Sequence, residues 1–496
     1  MKPAATRTLV IAAAAALSLT ASVAAGMATA APAGPDTSYL VLAPEGASTA
    51  EASARIAAAG GTVVADYAKI GVLVARSTNP GFATDVQGQG VESVASTEGL
   101  GSMLEEAETL GEVSVEDATS AGDPSGEPLW DLQWDMPQID LPEAHAVTTG
   151  SSDVVVGVLD SGISSTHPDL ATQIAKDKSA SCLGGVADTS EAAWNPTTSD
   201  HGTHVAGTIA AAINGVGVTG VAPGVKVASV KVVSDAGYIF PEAAVCGFMW
   251  AAENGMEITN NSYYIDPWEL NCRDDERQRP VWLAVQRAIR YSQSKGVLNV
   301  ASAGNSNYDL QKKNHDSGSP NDGSAPVEDR VVNSACLVLP GEAPGVVTVS
   351  STGPTHQKSY FSSYGQGVVD VTAPGGDARF RTQGASVIAA DAILSTTWNK
   401  TTGANGWGYK QGTSMSGPHA AGVAALAISA HPGLKPGSLA SHLERTATPL
   451  SCPEGVYDPV PLLPNGHGSD YQATCSGGLR TSFYGAGEVN AFAAVK

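Results

Sequence analysis

Gly412-Thr413-Ser414-Met415-Ser416-Gly417-Pro418-His419 runs directly into Ala420-Ala421-Gly422-Val423-Ala424-Ala425-Leu426. The second half is apolar and Ala-rich, with strong helix propensity, so the spacing predicts a helix opening at Ser414. Gly412 before it permits a sharp turn and a close backbone approach. At a helix mouth, free N–H groups and the positive dipole end favour developing negative charge. That suits a nucleophile. A serine alone is a weak one at neutral pH and needs a base and an orienting acid.

Working outward, the chain from about Trp130 alternates strand-like and helical stretches. Strands are expected at 154–159, 226–233, 258–262, 297–301, 346–350 and 368–372. Helices are expected at 205–213, 241–254 and 280–295. This alternation predicts an α/β fold with a mostly parallel central sheet flanked by helices. Residues 154–159 are apolar throughout, as a strand covered on both faces should be.

Three further residues sit where such a sheet places chemistry, beyond strand ends and at helix mouths. Asp160 closes the first strand, in Leu159-Asp160-Ser161-Gly162. His201 lies at a helix mouth, in Asp200-His201-Gly202-Thr203-His204-Val205-Ala206-Gly207, with His204 inside the helix. Asn305 follows a strand, in Ala301-Ser302-Ala303-Gly304-Asn305, and its amide can donate to an oxyanion. Each has a plain alternative: a turn aspartate, a core histidine, a turn asparagine. Their coincidence in one domain, in the order Asp–His–Ser, outweighs those alternatives. The order also separates the chain from α/β-hydrolases, where the serine comes first within Gly-x-Ser-x-Gly.

On these motifs the sequence resembles the subtilisin-like serine peptidases. Residues 158–162 look like the family's aspartate motif, 201–207 its histidine motif and 412–419 its serine motif. The likeness runs from about Trp130 to the 484–490 stretch. It implies a subtilisin-like fold and a serine endopeptidase that cuts peptide bonds through an Asp160-His201-Ser414 triad and an acyl-enzyme. Asn305 and the Ser414 N–H would form the oxyanion hole. The substrate would add as a strand beside Gly237 on one edge and Ser262 on the other. In this family glycines usually follow the latter edge; here Tyr263 and Tyr264 stand instead, and either narrow the pocket or swing away. No cofactor is required for the chemistry. A structural calcium is implied at Asp169 and Asn214, in Ile213-Asn214-Gly215-Val216-Gly217-Val218. The alternative there is a tight Asn-Gly turn with no ion.

Upstream, residues 37–98 read as β-α-β-β-α-β, the ferredoxin-like arrangement, and are similar to the family's propeptide, an intramolecular inhibitor and chaperone. Residues 99–126 read as an acidic, exposed linker, in a run that extends to Glu127. The peptidase domain then covers 127–496. No Lys or Arg occurs from Ser77 to Ala175. A zymogen that cuts itself between about Gly99 and Pro128 would therefore cut after a non-basic residue, with Met103, Leu104 and Leu110 as apolar candidates.

Composition bounds the rest. The chain has 496 residues, a net charge of −22, 42% hydrophobic and 15% charged residues, and 55 glycines. The acidity argues against nucleic acid, since no basic stripe is left for phosphates. Lys2 and Arg7 precede an apolar stretch at 9–25 and the small-residue run Ala28-Thr29-Ala30, which reads as a signal peptide over 1–30. No later stretch is long enough to anchor the chain in a membrane. The protein is expected to be secreted, monomeric and active on proteins or peptides. Six cysteines in an exported chain point to three disulfides, for which 15 connectivities exist. Cys452 and Cys475, flanking a Pro/Gly-rich stretch, are the first candidate pair. Two other classes are weighed against the peptidase: a catalytically dead binding protein on the same fold, and a serine esterase or transferase.

Overall fold

Val156 and Val158 face one apolar cluster, and Val155 and Leu159 face another. The strand Val155–Asp160 is thus buried on both sides, as its unbroken apolar run requires. The computed structural model describes residues 1, 34–104, 110–114, 126–327, 330–378, 391–459 and 471–496. Beyond Met1, the expected signal peptide lies outside the described residues.

Seven strands form the central sheet, in the order Val371–Pro374, Val347–Thr352, Leu298–Ser302, Ile258–Asn261, Val155–Asp160, Lys226–Lys231 and Ala180–Ser181. All neighbours are parallel. The helices His201–Ala210 and Thr413–Ala430 cover one face. Pro241–Glu253 and Gln278–Ser294 cover the other. Parallel strands put their carboxyl ends on one rim, and the sequence-predicted residues collect there. Gly202 lets the histidine helix reach that rim. A Cβ at this position would lie 2.6 Å from the Gly162 carbonyl oxygen and 3.0 Å from the Asp160 Cβ.

Residues 37–96 fold as a separate layer. Strands Thr37–Leu42, Gly61–Tyr67, Val72–Ser77 and Ser93–Ser96 alternate with helices Ala50–Ala58 and Phe82–Asp85. The antiparallel sheet has the spatial order second-third-first-fourth, which is the ferredoxin-like arrangement. Strand alternation splits its apolar residues. Tyr39, Val41 and Leu73 pack under its own helices with Ile56 and Phe82. Leu40, Leu42, Val72 and Val74 instead join the core formed with Pro241–Glu253 and Gln278–Ser294. The Arg287 side chain, 4% exposed, seals this contact. It donates to the Ala43 carbonyl oxygen at 2.9 Å and pairs with Glu92 at 2.5 Å.

The expectation of an exposed linker after residue 98 does not describe the whole stretch. Leu100, Ser102 and Leu104 are buried, and so is Glu127. Ser102–Met103 pairs antiparallel with Tyr238–Ile239. Gly111–Val113 pairs with the strand Asn405–Lys410. The intervening residues 105–109 lie outside the described residues. Three disulfides join Cys182 to Cys246, Cys272 to Cys336 and Cys452 to Cys475. The last is the pair singled out from the sequence.

Candidate active site

Asp160 ends the strand Val155–Asp160, and His201 is the first residue of its helix. The two side chains meet: His201 Nδ1 lies 2.9 Å from Asp160 Oδ1 and 3.0 Å from Oδ2. Both are fully buried. A carboxylate on Nδ1 accepts its proton and so turns the basic lone pair to Nε2. Behind the pair, His204 hydrogen-bonds the Ile393 and Gly408 carbonyl oxygens through Nε2. Burial, then the nearby Lys410 and His201, hold its pKa well below the usual range. His204 is therefore a neutral core histidine, as its position inside the helix suggested.

Ser414 is the second residue of the helix Thr413–Ala430. Gly412 enters it with φ 151°, in the region that favours glycine. Pro418, one turn on, has no N–H to give the Ser414 carbonyl. Ser262 fills that gap: its Oγ donates to the Ser414 carbonyl oxygen at 3.0 Å. In return Ser414 Oγ donates to the Ser262 carbonyl oxygen at 3.3 Å. Proline in the helix and serine on the opposite edge together fix the turn that carries the nucleophile.

Asn305 is set by the same turn. Its Oδ1 accepts from the Thr413 N–H and Thr413 Oγ, each at 2.9 Å. That directs Nδ2 away from Thr413. A Cβ placed on Gly412 would stand 3.6 Å from both Asn305 Nδ2 and the Ser414 nitrogen, so the two donors converge on one small region. Asp160, His201, Ser414 and Asn305 all gather on one rim of the sheet.

The two edges expected to flank a substrate hold the chain's own segment. Leu104 N–H donates to the Gly237 carbonyl oxygen at 2.8 Å. Ser102 Oγ donates to the Tyr264 carbonyl oxygen at 2.8 Å. Tyr263 turns into the core and donates to Asn261 Oδ1 at 3.1 Å; burial and the Asp160 charge push its pKa well up. Tyr264 packs with Leu270, Leu310 and Val338. Both rings line the pocket beside Ser414, as does Met103 of the chain's own segment, and about 20 Å³ stays open there.

At the loop 214–218 the donor set does not fit a calcium ion. A hard cation needs oxygens turned inward. Here five successive N–H groups point in. Those of Asn214, Gly215, Val216 and Gly217 donate to the Glu127 carboxylate, with Gly215 at 2.7 Å. The N–H of Val218 donates to Asp169 Oδ2 at 3.2 Å. Asp169 also accepts from Trp407 Nε1 at 2.7 Å and Asn214 Nδ2 at 3.3 Å. This is an anion nest. Among the described residues, the cluster with metal-ligand side chains is Cys272, Asp274 and Cys336, whose cysteines are bonded to each other.

Sequence reading missed three contributors. Glu127 was counted in an acidic run, yet it closes the nest. Asp135 lies 2.8 Å from His419 Nε2, both fully buried, and ties the segment before the sheet to the nucleophile's helix. Lys410, side chain 2% exposed, pairs with Asp200 beside the histidine at 2.9 Å. Only His419 stood in a motif; the other residues carry no local signal, because their partners are 87 to 284 positions away.

Comparison with known proteins places the chain in a family. Residues 151–481 match the family model described as the subtilase family. Over 322 residues the chain is 30% identical to subtilisin Savinase of Lederbergia lenta, covering 64% of this chain and 92% of that one. It is equally similar to the M-protease of Shouchella clausii, of which it spans 65% of the length. The fold of the Staphylococcus aureus epidermin leader peptide processing serine protease superposes with a TM-score of 0.68 at 19% identity, over 93% of this chain and 98% of that one. The chain belongs to the subtilase family, whose members are serine-type endopeptidases.

Proposed function

We propose that the protein is a secreted serine endopeptidase made as a self-processing zymogen. Ser414 Oγ attacks the scissile carbonyl carbon while His201 Nε2 takes its proton. Asp160 holds the imidazole tautomer and stabilises the imidazolium. Asn305 Nδ2 and the Ser414 N–H receive the oxyanion. Collapse of the tetrahedral species expels the amine, which leaves with the proton from His201. Water then hydrolyses the acyl-enzyme by the same route. In this reading the loop at 214–218 is held by the Glu127 carboxylate, which accepts from its N–H groups.

One observation carries this reading. Ser102–Met103 is a strand added beside Tyr238–Ile239, and Gly111–Val113 is one added to Asn405–Lys410, so the described ends of this segment are both held by the peptidase layer. Residues 37–96 then sit as the inhibitor that delivers this segment. The cut falls between Leu104 and Leu110, where no basic residue occurs. Of the three apolar candidates, Met103 and Leu104 lie on the upstream side and Leu110 on the downstream side.

The test joins a fluorophosphonate probe to a casein assay. The wild-type chain is expected to lose its N-terminal part, take the label and clear casein. Ser414→Ala should remain full-length, unlabelled and inactive. Absence of label with Ser414 intact, or casein hydrolysis by Ser414→Ala, overturns the peptidase reading. A mature N-terminus directly after a basic residue overturns the specificity.

A further inference from the structure

The segment at Ser102–Met103 has two neighbours, and only one was expected. Ser102 and Leu104 turn their main-chain groups to the strand Tyr238–Ile239. Met103, with opposite strand parity, turns to the other side. There the partner is Asn321, on the long excursion between Leu298–Ser302 and Val347–Thr352. The Met103 N–H donates to the Asn321 carbonyl oxygen at 2.8 Å. Asn321 Nδ2 donates back to the Met103 carbonyl oxygen at 2.9 Å. One residue thus satisfies both main-chain groups of the bound segment.

Asn321 is held for this task. Its N–H donates to the Pro267 carbonyl oxygen at 2.7 Å, and its Nδ2 also donates to Tyr264 Oη at 2.8 Å. Next to it the walls join. Tyr238 Oη, from the expected edge, donates to the Asp322 carbonyl oxygen at 3.1 Å. A Cβ on Gly323 would lie 3.2 Å from that hydroxyl and 3.8 Å from Met103 Sδ. The excursion is braced by the Cys272–Cys336 disulfide and by the Arg330–Asp316 pair at 2.8 Å.

We infer that Asn321 is a substrate-positioning residue and that Tyr238 and Asp322 form a strap over the upstream arm of the cleft. Extended polypeptide is gripped through the main chain at the register of Met103, whatever its side chain there. Substrates too short to reach that register gain nothing from the clamp. The inference rests on the proposed peptidase reading, with substrate following the path of residues 102–104.

The experiment uses matured enzyme and a series of peptides with one cleavage sequence, shortened stepwise from the N-terminus. For peptides that reach the Met103 register, Asn321→Ala should raise KM roughly three- to tenfold with kcat little changed, as loss of one or two main-chain hydrogen bonds would. For the shortest peptides it should match the wild type. Tyr238→Phe, which keeps the ring and loses the strap, should show the same length dependence more weakly. Equal KM for Asn321→Ala and wild type at every length overturns the inference, as does a loss independent of length. Failure of the wild type itself to cleave any peptide would overturn the peptidase reading instead.

Discussion

At the scale of single residues, Asn305 divides its amide between two tasks. Oδ1 accepts from Thr413, and Nδ2 is the proposed oxyanion donor. Asn305→Asp keeps the acceptor for Thr413, removes the donor and sets a carboxylate charge beside the oxyanion. Its kcat should fall by at least roughly 10²–10³, the loss known for removal of such a donor in a subtilisin, with KM little changed. A steady-state kcat and KM comparison, with a melting curve to show intact folding, checks this. Asp160, His201, Ser414 and Asn305 could be singled out from the sequence, because each sits in a short motif at a strand end or helix mouth. Their supporting partners could not. Ser262 was read as a substrate edge, yet its hydroxyl also serves the carbonyl that Pro418 leaves without a donor.

At the scale of elements, the loop 214–218 turns on backbone direction as well as spacing. Asp169 and Asn214 have the expected separation, and they do hydrogen-bond each other. What decides the site is which way the backbone points, and here the N–H groups face inward. Glu127→Ala should destabilise the folded protein by about 1–2 kcal/mol, since it leaves the buried Gly217 N–H without its acceptor while water can reach the N–H groups of Asn214 and Gly215. Urea unfolding of the uncleaved Ser414→Ala chain with and without the substitution measures this. The wild-type melting temperature should be the same in EDTA as in millimolar calcium. A calcium-dependent rise that vanishes in Asp169→Asn would show an ion at this loop after all. The strands and helices themselves were readable to within a few residues, because continuous apolar runs and Gly breaks mark them. The added strands at 102–103 and 111–113 were not, since their pairing partners lie more than a hundred residues away.

At the scale of the whole molecule, the N-terminal layer and the peptidase layer share one apolar interface, with Arg287 at its edge. The exposed pairs Lys69–Glu253 and Arg290–Glu45 add little, because water screens them. Arg287 is buried, and its guanidinium bonds the Ala43 carbonyl and Glu92 of the N-terminal layer. Arg287→Ala should lower the stability of the uncleaved chain by about 2 kcal/mol in urea unfolding. Once the N-terminal part has been removed, it should leave kcat on a peptide unchanged. A fall in kcat of the matured variant would place Arg287 in the catalytic unit's own integrity instead. The sequence by itself determined the α/β class, the ferredoxin-like layer and the placement of Asp160, His201, Asn305 and Ser414 at strand ends and helix mouths. Those depend on local periodicity and on short motifs, which neighbouring residues carry. Only the tertiary structure decided that Glu127 fills an anion nest, that Tyr263 turns into the core, and that Asn321 bonds the Met103 main chain. These rest on backbone direction and on contacts between distant segments, and no local pattern encodes either.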